Sequence, residues 1–324
     1  MRRPVLAYFV DNFDPFIFRL WDNVGPRWYG FAYVLAFACA FLVVRHLSRR
    51  GYCDLPPERV SDLITWTALC GVLLGGRLGY VLFYKPEMLR EPFSILRVWE
   101  GGMSSHGGML GIFFFVLWYA RRHGCSWRNL GDNLVVAAPL GLFFGRMANF
   151  INGELYGRAT SVAWAMQFPK ELLENSGEEH RAIAAVASIN PALSDAEQII
   201  VAARHDLRVT DALRQILTPR HPSQLYEALC EGVLLFAILW FVRTRLRTPN
   251  GVLIGLFFIC YAIFRIVIEN FREPDAPLVG AFTRGQFLSF FLIAIGVGFV
   301  VAAKVRPAFP LSFRAQSRNP VAKP

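Results

Sequence analysis

The sequence predicts an all-α polytopic membrane protein, with about seven transmembrane helices and a small extramembrane head between the fourth and fifth. Three observations predict it. The 324 residues are 54% hydrophobic and 18% charged, with a mean hydropathy of +0.37. A soluble domain carries roughly 45–50% apolar and about 25% charged residues. Seven apolar runs recur along the chain, most of them close to the ~20 residues a helix needs to cross ~30 Å of hydrocarbon. One polar stretch, residues 153–222, interrupts them. This composition excludes a single soluble domain and, for most of the chain, disorder.

Residues 1–27 hold Asp11, Asp14, Arg19 and Asp22 and lack the apolar region of a signal peptide. Phe13, Phe16, Ile17 and Phe18 cluster there, which reads as an amphipathic arm lying on the outer interface. Spans one to four fall in 28–152, at 28–44, 63–84, 105–119 and 130–151. The head, 153–222, is polar, with short helices expected at 182–188 and 196–217. Spans five to seven fall in 223–303, at 225–242, 252–268 and 286–303. The proline-containing tail, 304–324, reads as disordered.

The charges set an orientation. Arg45, Arg49, Arg50 and Arg59 follow span one. Arg121, Arg122 and Arg128 follow span three, and Arg243, Arg245 and Arg247 follow span five. Lys304, Arg306, Arg314, Arg318 and Lys323 lie in the tail. The short loops of the other side carry fewer: Lys85, Arg90, Arg97, Arg272 and Arg284. Basic loops stay in the cytoplasm, so the N-terminus is expected in the periplasm and the C-terminus in the cytoplasm. Topology thus accounts for much of the net charge of +10 without nucleic acid. The six cysteines lack metal-ligand spacing and read as reduced packing residues.

Ionisable side chains inside spans are costly and mark candidate sites. Arg77 sits in span two, Arg146 ends span four, and Glu227 and Glu231 lie in span five. Tyr261, Arg265, Glu269 and Arg272 are spaced four, four and three apart, on one helix face. Arg146, Asn149 and Gly153 share a face of span four, with Glu154 close by. Plainer readings exist for each residue. Arg265 with Glu269 suits an internal ion pair, and Arg77 a helix-end cap. Tyr29 beside Trp28 suits an aromatic belt, and His106 a helix-end hydrogen bond. Glu227 and Glu231 suit structural partners of arginines. Several buried arginines with too few nearby acids point instead to an anionic ligand, and guanidinium suits phosphate. The Gly101-Gly102-Met103-Ser104-Ser105-His106-Gly107-Gly108 stretch allows unusual backbone angles and close ligand approach at the start of span three.

Five blocks, in order, then carry a resemblance: Gly75-Gly76-Arg77-Leu78-Gly79-Tyr80; Gly101 to Gly108; Gly145-Arg146-Met147-Ala148-Asn149-Phe150-Ile151-Asn152-Gly153-Glu154-Leu155-Tyr156-Gly157-Arg158; Arg220-His221-Pro222-Ser223-Gln224-Leu225-Tyr226-Glu227; and Tyr261-Ala262-Ile263-Phe264-Arg265. Together they resemble the bacterial prolipoprotein diacylglyceryl transferases over most of the chain. Ala148 stands where that family more often has Gly, and the 169–220 head looks longer than usual.

The resemblance implies transfer of the diacylglyceryl group of phosphatidylglycerol to the lipobox cysteine of a prolipoprotein signal peptide. A thioether forms and glycerol phosphate leaves. It implies a multi-pass protein of the bacterial inner membrane, among membrane lipids, with no metal or organic cofactor. Under that reading Arg146 and Arg265 hold the lipid phosphate. Asn149 and Glu154 position the head group and hold Arg146, and Gly157 lets the chain turn. Glu269 orients Arg265, His106 or Tyr261 takes the thiol proton, and Arg77 and Tyr29 are secondary lipid contacts. Two other classes use some of the same residues. An anion transporter would use the same arginines, but no internal repeat supports it. A rhomboid-like protease would use Ser104 or Ser105 with His221, but it lacks a Gly-x-Ser-x-Gly-like elbow and leaves Arg146 and Arg265 unexplained.

Overall fold

The computed structural model describes residues 8–21, 24–97, 101–274, 278 and 280–310. Every apolar run is helical. The long helices are α1 (Trp28–Arg49), α2 (Pro57–Tyr84), α3 (Ser105–His123), α4 (Trp127–Ile151), α8 (Ser223–Arg245), α9 (Val252–Ile268) and α10 (Arg284–Val305). The head contributes α5 (Ser176–Val186), α6 (Ala196–Ala203) and α7 (Leu207–Arg214). By length and composition α1, α2, α4, α8 and α10 can each cross a membrane, and α9 is a shorter apolar helix. The protein is an all-α polytopic membrane protein.

Most spans run past their apolar cores. α1 continues to Arg49, α2 begins at Pro57, α3 ends at His123 and α8 ends at Arg245. Hence Arg45, Arg59, Arg121, Arg128 and Arg243, expected in loops, lie on helices. Backbone hydrogen bonds made within a helix need no water, so the helix extends beyond the apolar stretch that hydropathy detects.

The chain folds as two compact units. One comprises 1–35, 141–235 and 260–293; the other comprises 36–140, 236–259 and 294–324.

The second unit holds an apolar core that includes Val44, Leu55, Val60, Leu63 and Leu130. Its α2 and α3 approach closely because glycines face each other. A Cβ on Gly75 would lie 2.8 Å from Gly107 O and Gly111 Cα. Small residues at a crossing let two backbones pack closely where lipid gives no hydrophobic push. A buried polar hub also lies here. Arg243 is 2% exposed and donates to Tyr52 O and to Asn133 Oδ1 (3.1 Å). Asp132 accepts from Gly251 N (2.7 Å) and Ile254 N (3.0 Å) at the start of α9. Arg243 is therefore a packing residue as well as a basic one.

In the first unit the head has its own core, including Leu172, Val186, Ile199, Val209 and Leu213. The helix expected at 196–217 is two helices. Asp206 interrupts it: its side chain accepts from Arg208 N, the N-cap of α7. The helix expected at 182–188 begins earlier, at Ser176, where Asn175 caps it. Among its described residues the arm pairs with the head as a strand. Phe9–Val10 (β1) pairs in parallel with Met166–Gln167 (β2), and Val10 enters the head's core. Phe13 and Phe18 remain exposed. The ends of the arm and tail expectations, residues 1–7, 22–23 and 311–324, lie outside the described residues. All six cysteines are free thiols.

Candidate active site

The first unit gathers arginines from α4 and α9 around carboxylates of α8. Glu227 and Glu231 are fully buried. Glu231 lies on a π-helical turn, Ala228–Leu234, that begins just after Glu227. Turns of this kind recur at functional positions. Glu227 Oε1 accepts from Arg265 Nη1 (3.0 Å) and from Arg272 Nη1 (2.9 Å). Arg146 Nε lies 2.6 Å from Glu227 Oε2. Glu231 sits 3.6 Å from Arg146 Nη2 and 3.7 Å from Arg265 Nη1. Glu269, one helical turn beyond Arg265, pairs with its Nε at 3.1 Å. Gly285 opens the space: a Cβ there would lie 2.8 Å from the Glu269 carboxyl.

Two features of the cluster differ from expectation. Arg146 pairs with Glu227 and Glu231, not with Glu154. Glu154 Oε1 instead accepts from Asn152 Nδ2 (3.0 Å) and Asn149 Nδ2 (3.4 Å). Arg146, Arg265 and Arg272 also face an equal number of acids, Glu227, Glu231 and Glu269. The premise of too few nearby acids fails. A phosphate would be held here by donor geometry rather than by excess charge. The Arg272 side chain is 4% exposed, but Arg146 keeps 18% and Arg265 keeps 14%. Arg146 reaches the acids through Nε and Nη2, and Arg265 through Nη1 and Nε. Tyr261 lies one turn before Arg265, within the field of Glu231, Arg265 and Arg146.

The loop after α4 is tightly wired. Leu155 adopts a left-handed φ of 60°, a strain that persists only where the surroundings enforce it. Leu155 O accepts from Ser223 Oγ (3.0 Å), and Glu154 O from Gln224 Nε2 (2.8 Å). Gly157 donates to His221 O (2.8 Å), and a Cβ there would meet His221 and Phe271. Its lack of a side chain serves three-way backbone packing rather than a turn. Arg220 pairs with Glu171 and Glu273 and lies 4.9 Å over the Tyr156 ring. Sequence reasoning assigned no role to Arg272 or Arg220. Arg272 shared the spacing of Arg265, and Arg220 opened a recognised block, so both carried a weak signal.

The remaining expected residues are placed differently. Arg77, in the second unit, spends all five N–H groups on backbone carbonyls. Nε donates to Ile95 O (2.8 Å). Nη2 donates to Ser94 O (2.8 Å) and Arg97 O (3.1 Å). Nη1 donates to Gly101 O and to Gly102 O (3.1 Å). No donor is left for a lipid phosphate, so Arg77 is a loop staple. Gly101 and Gly102 have φ of 84° and 80°, which glycine alone adopts readily. His106 is exposed at the start of α3. Tyr29 packs its ring 5.7 Å from Tyr33. Ser104 caps α3, accepting from Gly107 N (3.1 Å). Burial holds the His221 imidazole below its usual range, and His221 sits among Tyr226 and Phe271. Ser104 is thus committed to a helix cap and His221 to an aromatic cluster. Among the described residues no group of three or more His, Cys, Asp or Glu could hold a metal.

Apolar helices around a buried, carboxylate-held arginine cluster define a polytopic membrane protein with a charged interior. The family is given by comparison. The model of the prolipoprotein diacylglyceryl transferases matches residues 15–302. Relatives named phosphatidylglycerol–prolipoprotein diacylglyceryl transferase are similar over nearly the whole length. The one from Bdellovibrio bacteriovorus is 37% identical, covering 89% of this chain and 92% of its own. The one from Gluconacetobacter diazotrophicus is 39% identical, covering 95% and 96%. The one from Pseudomonas paraeruginosa is 40% identical, covering 88% and 93%. The chain belongs to the prolipoprotein diacylglyceryl transferase family and is a transferase.

Proposed function

We propose that the protein transfers the diacylglyceryl group of phosphatidylglycerol to the lipobox cysteine of prolipoprotein signal peptides. The family membership supports the reaction. The observation that carries the site is the pair Arg146 and Arg265, fixed by buried Glu227 and Glu231 yet each still partly exposed.

The chemistry sets two requirements. The cysteine thiol, with an ordinary pKa near 8.5, must lose its proton, since the thiolate is the nucleophile. The sulfur then attacks the glyceryl carbon that bears the phosphate. The C–S bond forms, the C–O bond breaks, and the oxygen leaves with the phosphate as glycerol phosphate. Arg146 Nη1 and Arg265 Nη2 donate to the phosphate oxygens, where charge develops on leaving. Donors already fixed in place supply a large share of such catalysis. Glu227, Glu231 and Glu269 hold the guanidinium planes, so little reorganisation accompanies the step. Asn149 and Glu154 orient the glycerol head group from the loop after α4. His106, an exposed imidazole, takes the thiol proton, because imidazole accepts protons near neutral pH. Tyr261, beside Arg265, is the other candidate acceptor, and Tyr261→Phe tests it. Arg77 and Tyr29 take no part in holding phosphate in this scheme. The step asks for no metal or organic cofactor.

The protein sits in the bacterial inner membrane, with its N-terminus and head on the periplasmic side and its C-terminus in the cytoplasm. The basic helix ends support this orientation.

The test uses purified protein, phosphatidylglycerol labelled in its diacylglyceryl group, and a lipobox peptide with or without its cysteine. A peptide mass gain of one diacylglyceryl group that requires the cysteine supports the proposal. No gain in detergent or in bilayers overturns it.

A further inference from the structure

The N-terminal arm meets the loop after α4 at a small polar cavity. Backbone pairing brings it there: Asp11 N donates to Gln167 O (2.8 Å), extending the β1–β2 pair. Asp11 is 6% exposed. Its Oδ1 receives a long contact from Phe13 N (3.5 Å). Its Oδ2 is buried with no hydrogen-bond partner among the described residues. That oxygen lies 3.1 Å from where a Cβ on Gly153 would be, and Gly153 has a φ of 63°. Asn152, next in the chain, presents a second buried oxygen without a partner, Oδ1. The orientation of its amide is fixed, because Nδ2 donates to the Glu154 carboxylate (3.0 Å). Reversing it would set oxygen against oxygen.

Asp11 and Asn152 line the same cavity, whose volume is about 10 Å³. That is room for one water. Neither oxygen receives a hydrogen bond among the described residues, although Lys170 and Arg204 line the cavity. One proton on Asp11 supplies a donor, directly or through a water.

We propose that the arm is a pH-sensitive clasp: a proton on Asp11, shared with Asn152, seats the arm against Gly153, and loss of that proton loosens it. The clasp is linked to the active-site loop, since Asn152 shares Glu154 with Asn149. Asp11 is thereby a positioning residue and not a catalytic one.

Charged groups from the head and the arm itself surround Asp11. Lys170 and Arg204 line the cavity and favour the carboxylate. Arg204 also lies 3.9 Å from Asp14, which pairs with Arg19 at 3.0 Å. Burial outweighs these cations and pushes the Asp11 carboxyl up to about 7. The seated arm keeps its proton up to about pH 7, while the free arm loses it near the ordinary value of 3.8. Seating therefore weakens between these limits as pH rises and is constant above them. The inference does not depend on the transfer reaction. The proposed periplasmic placement would expose the clasp to ambient pH.

The test is hydrogen exchange of the backbone amides of residues 9–12 in the full chain in phosphatidylglycerol nanodiscs. Protection is corrected for the intrinsic pH dependence of exchange. In the wild type it should fall about tenfold per pH unit from pH 5 to 7 and level off by pH 8. Asp11→Asn, which carries a permanent donor, should hold high protection with no slope. Lys170→Met removes a cation that favours the carboxylate and should move the midpoint to higher pH. A flat wild-type profile overturns the proposal. So does a wild-type slope that survives in Asp11→Asn, or a midpoint that stays in place in Lys170→Met.

Discussion

Two buried arginine sites in this protein solve one problem in different ways. Arg77 is neutralised by five carbonyl dipoles from residues 94–102, which consume every N–H it has. Arg146 and Arg265 are neutralised by carboxylates that grip one side of each guanidinium. The first arrangement can only hold a loop. The second holds the side chain through ion pairs and leaves it partly exposed. A buried arginine is thus informative only when its hydrogen bonds are counted. Intramembrane charge marks both sites equally, and donor accounting separates them.

That contrast can be broken by mutation. The largest effect is expected at the carboxylate. Glu227→Ala removes the carboxylate that three guanidiniums share and should lower stability by about 3–5 kcal/mol, read as a fall in the thermal midpoint of the purified protein. An unchanged midpoint would mean that the cluster is not held by Glu227.

Arg146→Ala and Arg265→Ala should each reduce transfer by about 10²–10³-fold, the range for losing one fixed oxyanion donor. Their folding should suffer less than that of Glu227→Ala. Activity near wild type in either would remove that arginine from the phosphate site.

Arg77→Lys keeps the charge but loses the planar fork. It should leave some carbonyls unpaired at about 1–3 kcal/mol. Transfer per folded molecule should persist. A selective rise in KM for lipid, with an unchanged thermal midpoint, would make Arg77 a ligand contact after all.

The smallest effect is a control in the head. Asp206→Ala removes the N-cap of α7 and should loosen its first turn, seen as faster amide exchange in 207–210, with transfer unchanged.

The helices were legible because every apolar run is helical and five of them have the length and composition of a span, where lipid imposes internal backbone hydrogen bonding. Their ends were not legible. Arg128 and Arg243 look like loop charges, but they extend helices whose hydrogen bonds continue past the apolar stretch. The head was read as helical, yet Asp206 splits one expected helix through a side-chain cap that periodicity does not register. In the active site the four-residue spacing of Arg265 and Glu269 foretold their ion pair. Arg272 lies past the end of α9 and reaches Glu227 through the turn at Phe271, which no helical spacing describes. The assignment of Glu154 to Arg146 failed because nearness in sequence stood in for contact.

The amino-acid sequence by itself determined the class of fold, the family and the identity of the polar residues inside the spans. Hydropathy and short motifs are local and survive without coordinates. Tertiary structure alone decided which acid neutralises which arginine, which guanidinium spends every donor on backbone carbonyls, and where the arm docks. Those outcomes depend on atoms brought within a few ångströms from segments far apart in the chain. Hydrogen-bond energy falls off too steeply with distance and angle for spacing along the chain to predict it.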